Sequence, residues 1–212
     1  MCEVIALATL TKKSDITRSK ILAAAEAEFS DKGIWGARID EIAKNAGVNK
    51  RMIYAHFESK ENLYKTVLSD VYSRLAEYEK EYYIEGISPE LAISNIVNVS
   101  FSFLEKNPNF VRMLMWENLN GAKYVDNSEL SNIKNPTIQY IKNQIRRGKE
   151  SGVFRQDIDE QQIVVSLMNF EFSYFSNIHT LSRILSIDLS LPHEIHKRSA
   201  FISDMLLKYL MG

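Results

Sequence analysis

Cysteine is almost missing from this chain. Its 212 residues hold one, Cys2, so no intramolecular disulfide and no cysteine-based zinc site can form. That composition suits a reducing, cytoplasmic setting. Histidine is scarce as well, with four: His56, His179, His193 and His196. His193 and His196 are spaced to share a helix face, but only Glu194 accompanies them; they read as helix-end histidines, and no metal is expected. There is no phosphate-cradling glycine loop and no nucleophile elbow, so neither a catalytic residue nor a cofactor is expected. No apolar run approaches the ~20 residues of a membrane span, so no membrane partner is expected. The opening MCEVIALATL is apolar, but Glu3 precedes the apolar run and Lys12 and Lys13 follow it, the reverse of a secretory signal. Residues 1–13 therefore read as a flexible arm. Neither sign of charge dominates, since the net charge is -1. Bulk charge thus points to no nucleic-acid partner.

Charge distribution is more informative than its total. Between Thr11 and Lys65 there are eleven cations and eight anions, so the head is basic and the remainder acidic. From Lys44 to Phe57 there is no acid at all. A solvated charge run would explain this equally well, so the charge alone does not decide.

The few prolines and glycines punctuate a helical pattern. Pro89, Pro108, Pro136 and Pro192 sit where helices could begin, three of them behind the natural caps Ser88, Asn107 and Asn135. Gly33, Gly86, Gly121 and Gly152 sit where helices could end. Between these marks apolar residues recur at helical spacing, as in Ile21, Ala25 and Phe29, and convincing strand alternation is absent. The pattern predicts an all-α protein of about nine helices, at 17–32, 39–46, 50–56, 60–84, 89–106, 108–120, 136–150, 159–180 and 192–211. A three-helix head over 14–60 would precede a helical domain over 61–212.

The stretch RIDEIAKNAGVNKRMIYAHFESKENLY, residues 38–64, has the parts of a helix-turn-helix. Ile39, Ile42, Ala43 and Ala46 bury the first helix, Gly47 makes the turn, Val48 plugs the corner and Asn49 caps the second helix. Ile53 and Phe57 bury that second helix, leaving Lys50, Arg51, Met52, Tyr54, Ala55 and His56 towards the outside or edges. Lys50 and Arg51, at the N-terminal end, can donate to guanine O6 and N7 in a major groove. Tyr54, His56 and Lys60 can donate to phosphates, which fix register without reading sequence. Arg38 and Asn49 complete the candidate DNA-binding set.

These residues resemble the TetR family of one-component regulators. GVNKRMIYAHFESKENLY is similar to that family's turn, recognition helix and following helix, and RSKILAAAEAEFSDKGIWGARIDEIAKNAG to its first two helices. NPNFVRMLMWENLNG and RRGKESGVFRQDIDEQQI resemble, more loosely, segments of a TetR-type ligand-binding domain. Ala55 departs from the pattern, since a large polar or aromatic residue is common there. The resemblance implies a homodimeric repressor that grips a roughly palindromic double-stranded operator and is released by a small-molecule effector.

Two further sets are read from the residues. On 108–120, Phe110, Met113, Leu114 and Glu117 share one stripe. Glu117 either anchors a ligand, with Phe170 and Tyr174 as further walls, or pairs structurally. The last two helices are apolar on so much of their surface that one face is expected to pack on a second copy, through Phe175, Ile178, Ile202, Leu206 and Tyr209. An all-helical ligand carrier or enzyme without DNA function is the alternative, and a ligand-free interaction protein a third reading. The acid-free face of Lys44, Lys50 and Arg51 favours the regulator.

Overall fold

The computed structural model describes the backbone of residues 2–125 and 127–212, and the side chains of 14–125, 132–133 and 136–212. The arm expected at 1–13 lies outside the residues whose side chains are described. Among the described residues the chain is all-helical, with ten helices in place of the nine expected. They are α1 (Cys2–Gly36), α2 (Ile39–Ala46), α3 (Lys50–Phe57), α4 (Lys60–Lys80), α5 (Pro89–Lys106), α6 (Pro108–Leu119), α7 (Asn127–Glu150), α8 (Glu160–Ser176), α9 (Ile178–Leu185) and α10 (Pro192–Met211). No described helix is long and apolar enough to cross a membrane.

Two departures from the sequence pattern have local causes. The expected helix 159–180 is broken at Asn177, which has a non-helical ψ of 9° and caps α8 by sending its Nδ2 to the Ser173 carbonyl at 3.0 Å. The short α9 follows and stops at Ser186, which adopts the left-handed region. Pro136 does not begin α7 but lies inside it. Nine residues of helix precede it, although proline inside a helix removes a ladder hydrogen bond and crowds the carbonyl four residues back.

Contacts divide the chain into two units: 1–71 with 112–126, and 72–111 with 127–212. The first unit is therefore more than the expected 14–60 head. It takes in the start of α4, where Leu63, Tyr64, Val67 and Leu68 are buried, and the second half of α6. Ile21, Ala25 and Phe29 of α1 form the buried stripe the sequence foretold, and Phe29 meets Tyr64 edge-on with ring centroids 5.0 Å apart. Trp116 of α6 lies across α1 where that helix breaks at Gly33 (φ 64°). A Cβ on Gly33 would come within 2.8 Å of the indole, so only glycine allows both the turn and the approach. The indole Nε1 donates to the Ser30 carbonyl at 3.2 Å, satisfying a backbone group near the break.

The second unit is built around α5, which packs on α7, α8 and α10. Its core includes Ile93, Val97 and Phe101 of α5, Ile141 and Ile145 of α7, Ile163 and Leu167 of α8, and Ile202 and Leu206 of α10.

Candidate nucleic-acid interface

The α2–turn–α3 segment is held from both ends. Gly47, at φ 66°, donates its N–H to the Lys44 carbonyl, and Val48 N–H donates to Ala43 O at 3.0 Å. Asn49 caps α3 by accepting the Met52 N–H at 3.0 Å. Its side chain is thus committed to the helix start. Ile53 and Phe57 are buried, four residues apart, and fix the inner face of α3. Lys50, Arg51, Tyr54 and Ala55 are exposed, while Met52 and His56 are half-buried at the edges. Seen down the helix, at ~100° per residue, Arg51 and Ala55 lie opposite the buried pair. They form the centre of the outward face.

Electrostatics sort the expected cations into two kinds. Lys50 Nζ pairs with Asp40 Oδ1 of α2 at 2.9 Å, and this partner raises the ammonium above its ordinary range. A contact from Lys50 to DNA would require it to leave Asp40. Arg51 has no such partner among the ion pairs of the described residues and stands ready on the outer face. Lys60, expected as a phosphate donor, is engaged within the head. Its Nζ is turned inward to the Ala37 carbonyl at 2.5 Å, and burial lowers its pKa while the charge of Glu28 opposes this. Glu28 is the residue the sequence reading missed. It is buried in α1, takes Lys32 Nζ at 3.0 Å and accepts the Arg38 N–H at 3.0 Å. It therefore ties the start of α2 to α1. Burial alone would raise its pKa, but Lys32, the Arg38 N–H and the charge of Lys60 outweigh that and lower it. The i, i+4 spacing to Lys32 was the one visible signal. Arg38 itself is exposed beside this anchor.

The expected ligand set is divided between the two units. Glu117, Met113 and Leu114 belong to the first unit, whereas Phe110, Phe170 and Tyr174 belong to the second. Glu117 is 3% exposed, and its Oε1 accepts the Tyr124 N–H at 2.6 Å, closing the turn that follows α6. Burial and the Glu117 carboxylate together push the Tyr64 phenol well above its ordinary value. The Oε1 contact is of the structural kind, while Oε2 is buried without a hydrogen-bond partner among the described residues. In the second unit Phe110 meets Tyr72 and Phe103 edge-on, Tyr174 meets Phe101, and the half-buried Phe170 packs against the core.

The expected dimer residues also divide. Ile202 and Leu206 are 0% and 3% exposed in the core of their own unit, and Ile178 is buried too. These three cannot be offered to a partner. Their side of α10 packs on α5, so the outward face falls on neighbouring positions. Phe175 is half-buried against Phe101, and Tyr209 is exposed beneath the Arg155 guanidinium, 4.8 Å from its ring.

Two short helices joined by a left-handed glycine, with the second presenting a cationic outer face, define the class: a helix-turn-helix DNA-binding regulator. Residues 21–67 match the family model for bacterial regulatory proteins of the tetR family, and residues 89–206 that for the tetracyclin repressor-like C-terminal domain. The chain is 32% identical over 200 residues to the HTH-type transcriptional repressor NicS of Pseudomonas putida, covering 94% of each. Two solved structures share the fold. FadR from Bacillus subtilis, in complex with stearoyl-CoA, has a TM-score of 0.71 at 15% identity, covering 91% of this chain and 98% of that one. The ketosteroid transcriptional regulator KstR2 of Mycobacterium tuberculosis has a TM-score of 0.70 at 18% identity, covering 92% and 95%. The chain belongs to the TetR family of DNA-binding transcriptional regulators.

Proposed function

We propose that the protein acts as a homodimer whose two α3 helices enter adjacent major grooves of a roughly palindromic operator. The observation that carries this reading is the outward face of α3. Arg51 at its centre is free of ion pairs among the described residues; Lys50, on the side of Ile53 and Phe57 but exposed at the N-terminal end, is held by a single exposed acid, and that end is where such helices meet base edges. Tyr54 and His56, at the edges, are placed for phosphates. Asn49 acts by capping, Lys60 by fixing the α2–α4 junction, and Arg38 and Met52 by flanking the face.

Dimerisation is assigned to α8 and α10, through residues other than most of those the sequence pattern suggested. Val165 and Met168 on α8, and Phe201 and Tyr209 on α10, are large apolar side chains left 41–56% exposed. Their i, i+3 and i, i+8 spacing puts each pair along one stripe. Such surface on neighbouring positions of two helices is what a second copy covers. The effector, a small molecule, is assigned to the second unit, with Phe110, Phe170 and Tyr174 as wall candidates. The site of action is the cytoplasm, where the operator is.

Selection of genomic fragments by the purified protein tests the reading. It should recover sites with two inverted half-sites about one helical turn apart, bound by one dimer. Recovery of no preferred sequence would refute it.

A further inference from the structure

One feature of the first unit lies outside the helix-turn-helix face. A shallow groove of ≈ 320 Å³ runs along one edge of α3. Three helices line it: Arg18 from α1, His56 and Phe57 from the end of α3, and Asn62 and Lys65 from α4, with Glu58 at the turn between the last two. The Arg18 guanidinium lies over the Phe57 ring, 5.4 Å from its centroid, so a core residue of the recognition helix holds it in place. Glu58 accepts the Asn62 Nδ2 hydrogen at 3.3 Å, which engages part of the only carboxylate in the lining. Arg18 and Lys65 are exposed. Two permanent cations and an imidazole thus face one partly engaged acid.

The position of the groove says what it meets. A helix with its side chains is about 10–12 Å across, and the major groove of DNA is about 12 Å wide. A helix seated there brings its two edges against the two sugar-phosphate walls. Arg51 and Ala55 mark the face that enters, and His56 lies on the edge where this groove opens. We infer that the groove clamps a backbone phosphate beside the recognition helix, with Arg18 and Lys65 as its charged donors and His56 at its mouth. The clamp rests on the DNA-binding reading above and adds to it two residues from outside the helix-turn-helix contacts. A guanidinium braced on an aromatic ring is well suited to a phosphate oxygen pair. Being a phosphate contact, it contributes affinity and register but no sequence preference.

The test uses the full-length protein, a mixed-sequence duplex and a range of salt concentrations. Removing one phosphate donor should lower the slope of log affinity against log salt by about one unit. Arg18→Ala and Lys65→Ala should each flatten the slope and weaken binding on every sequence alike. Arg18→Lys should keep most of the slope, and Glu58→Gln should shift affinity the other way. Lys197→Ala, an exposed cation of the second unit, should leave the slope unchanged. If Arg18→Ala destabilises the head by uncovering the Phe57 ring, the exposed Lys65 decides the matter. A wild-type slope in the folded Lys65→Ala protein, or in a folded Arg18→Ala protein, would overturn the clamp. Salt-dependent binding by the wild type separates that result from a failure of the DNA reading itself.

Discussion

Glu28 shows how much one side chain can carry. It joins three parts of the head: its own helix through Lys32, the start of α2 through the Arg38 N–H, and the neighbourhood of Lys60 through charge. Because its pKa is lowered in the folded state, the stability it contributes is present above its ordinary value of 4.5 and fades as the pH falls through the folded value. Glu28→Gln should therefore flatten the acid side of a stability–pH profile measured by chemical denaturation. An unchanged profile would remove Glu28 from that role. Glu117→Gln should cost about 1–3 kcal/mol of stability and lower the melting temperature, while effector-dependent DNA release persists in the folded fraction. Thermal unfolding and a release assay on one preparation check both halves. Structural pairing of Glu117 was one of two readings open in the sequence, and for Glu28 only the i, i+4 spacing to Lys32 was visible; the partners themselves were not. Glu117 sits on an apolar stripe, and a stripe says that a carboxylate is buried, not that a backbone N–H seven residues later is its partner.

At the scale of elements, α2 and α3 were legible because local chemistry and tertiary packing agree there. The segment 39–46 coincides with Ile39–Ala46, and the glycine turn and asparagine cap fall where their side-chain chemistry demands. Where packing decides, the pattern ran out. Apolar periodicity continues through Asn177, so the α8–α9 break is invisible in it, and Pro136 looks like a start because its helix is extended backwards by polar residues. Placement of α6 was likewise hidden, since nothing in 108–120 tells which of two cores Trp116 will join. That placement yields a sharp expectation. Gly33→Ala must take an L-residue to φ 64° and bring its Cβ against the indole, so it should destabilise by about 2–4 kcal/mol. Denaturant unfolding measures this, and paired with Trp116→Ala it should show part of the cost relieved. A cost below about 1 kcal/mol in the single variant would mean the close approach does not matter.

For the whole molecule, the proposed dimer predicts that assembly and DNA binding are linked. The dimer expectation rested on apolar content, which cannot separate the face of α10 that packs on α5, with Ile202, Leu206 and Leu210, from the face that looks outward, with Phe201, Tyr209 and Met211. The structure separates them. Leu206→Asp should unfold the second unit, because it places an unpaired charge in a filled core. Phe201→Glu, 56% exposed, should leave a folded chain that sediments as a monomer. Unfolding by both, or a dimer persisting in Phe201→Glu, would move the interface elsewhere. A folded monomer should also bind the operator far more weakly than the wild type, since one head makes half the contacts.

The most direct measurement is operator affinity against mixed-sequence affinity for Arg51→Ala at fixed salt. As a base reader on the outward face of α3, Arg51 should carry discrimination. Its loss should weaken operator binding by about 1–3 kcal/mol, roughly 5- to 150-fold, while mixed-sequence binding changes much less. Equal weakening on both would make Arg51 a phosphate contact, and wild-type affinity for both would contradict α3 as the reading helix.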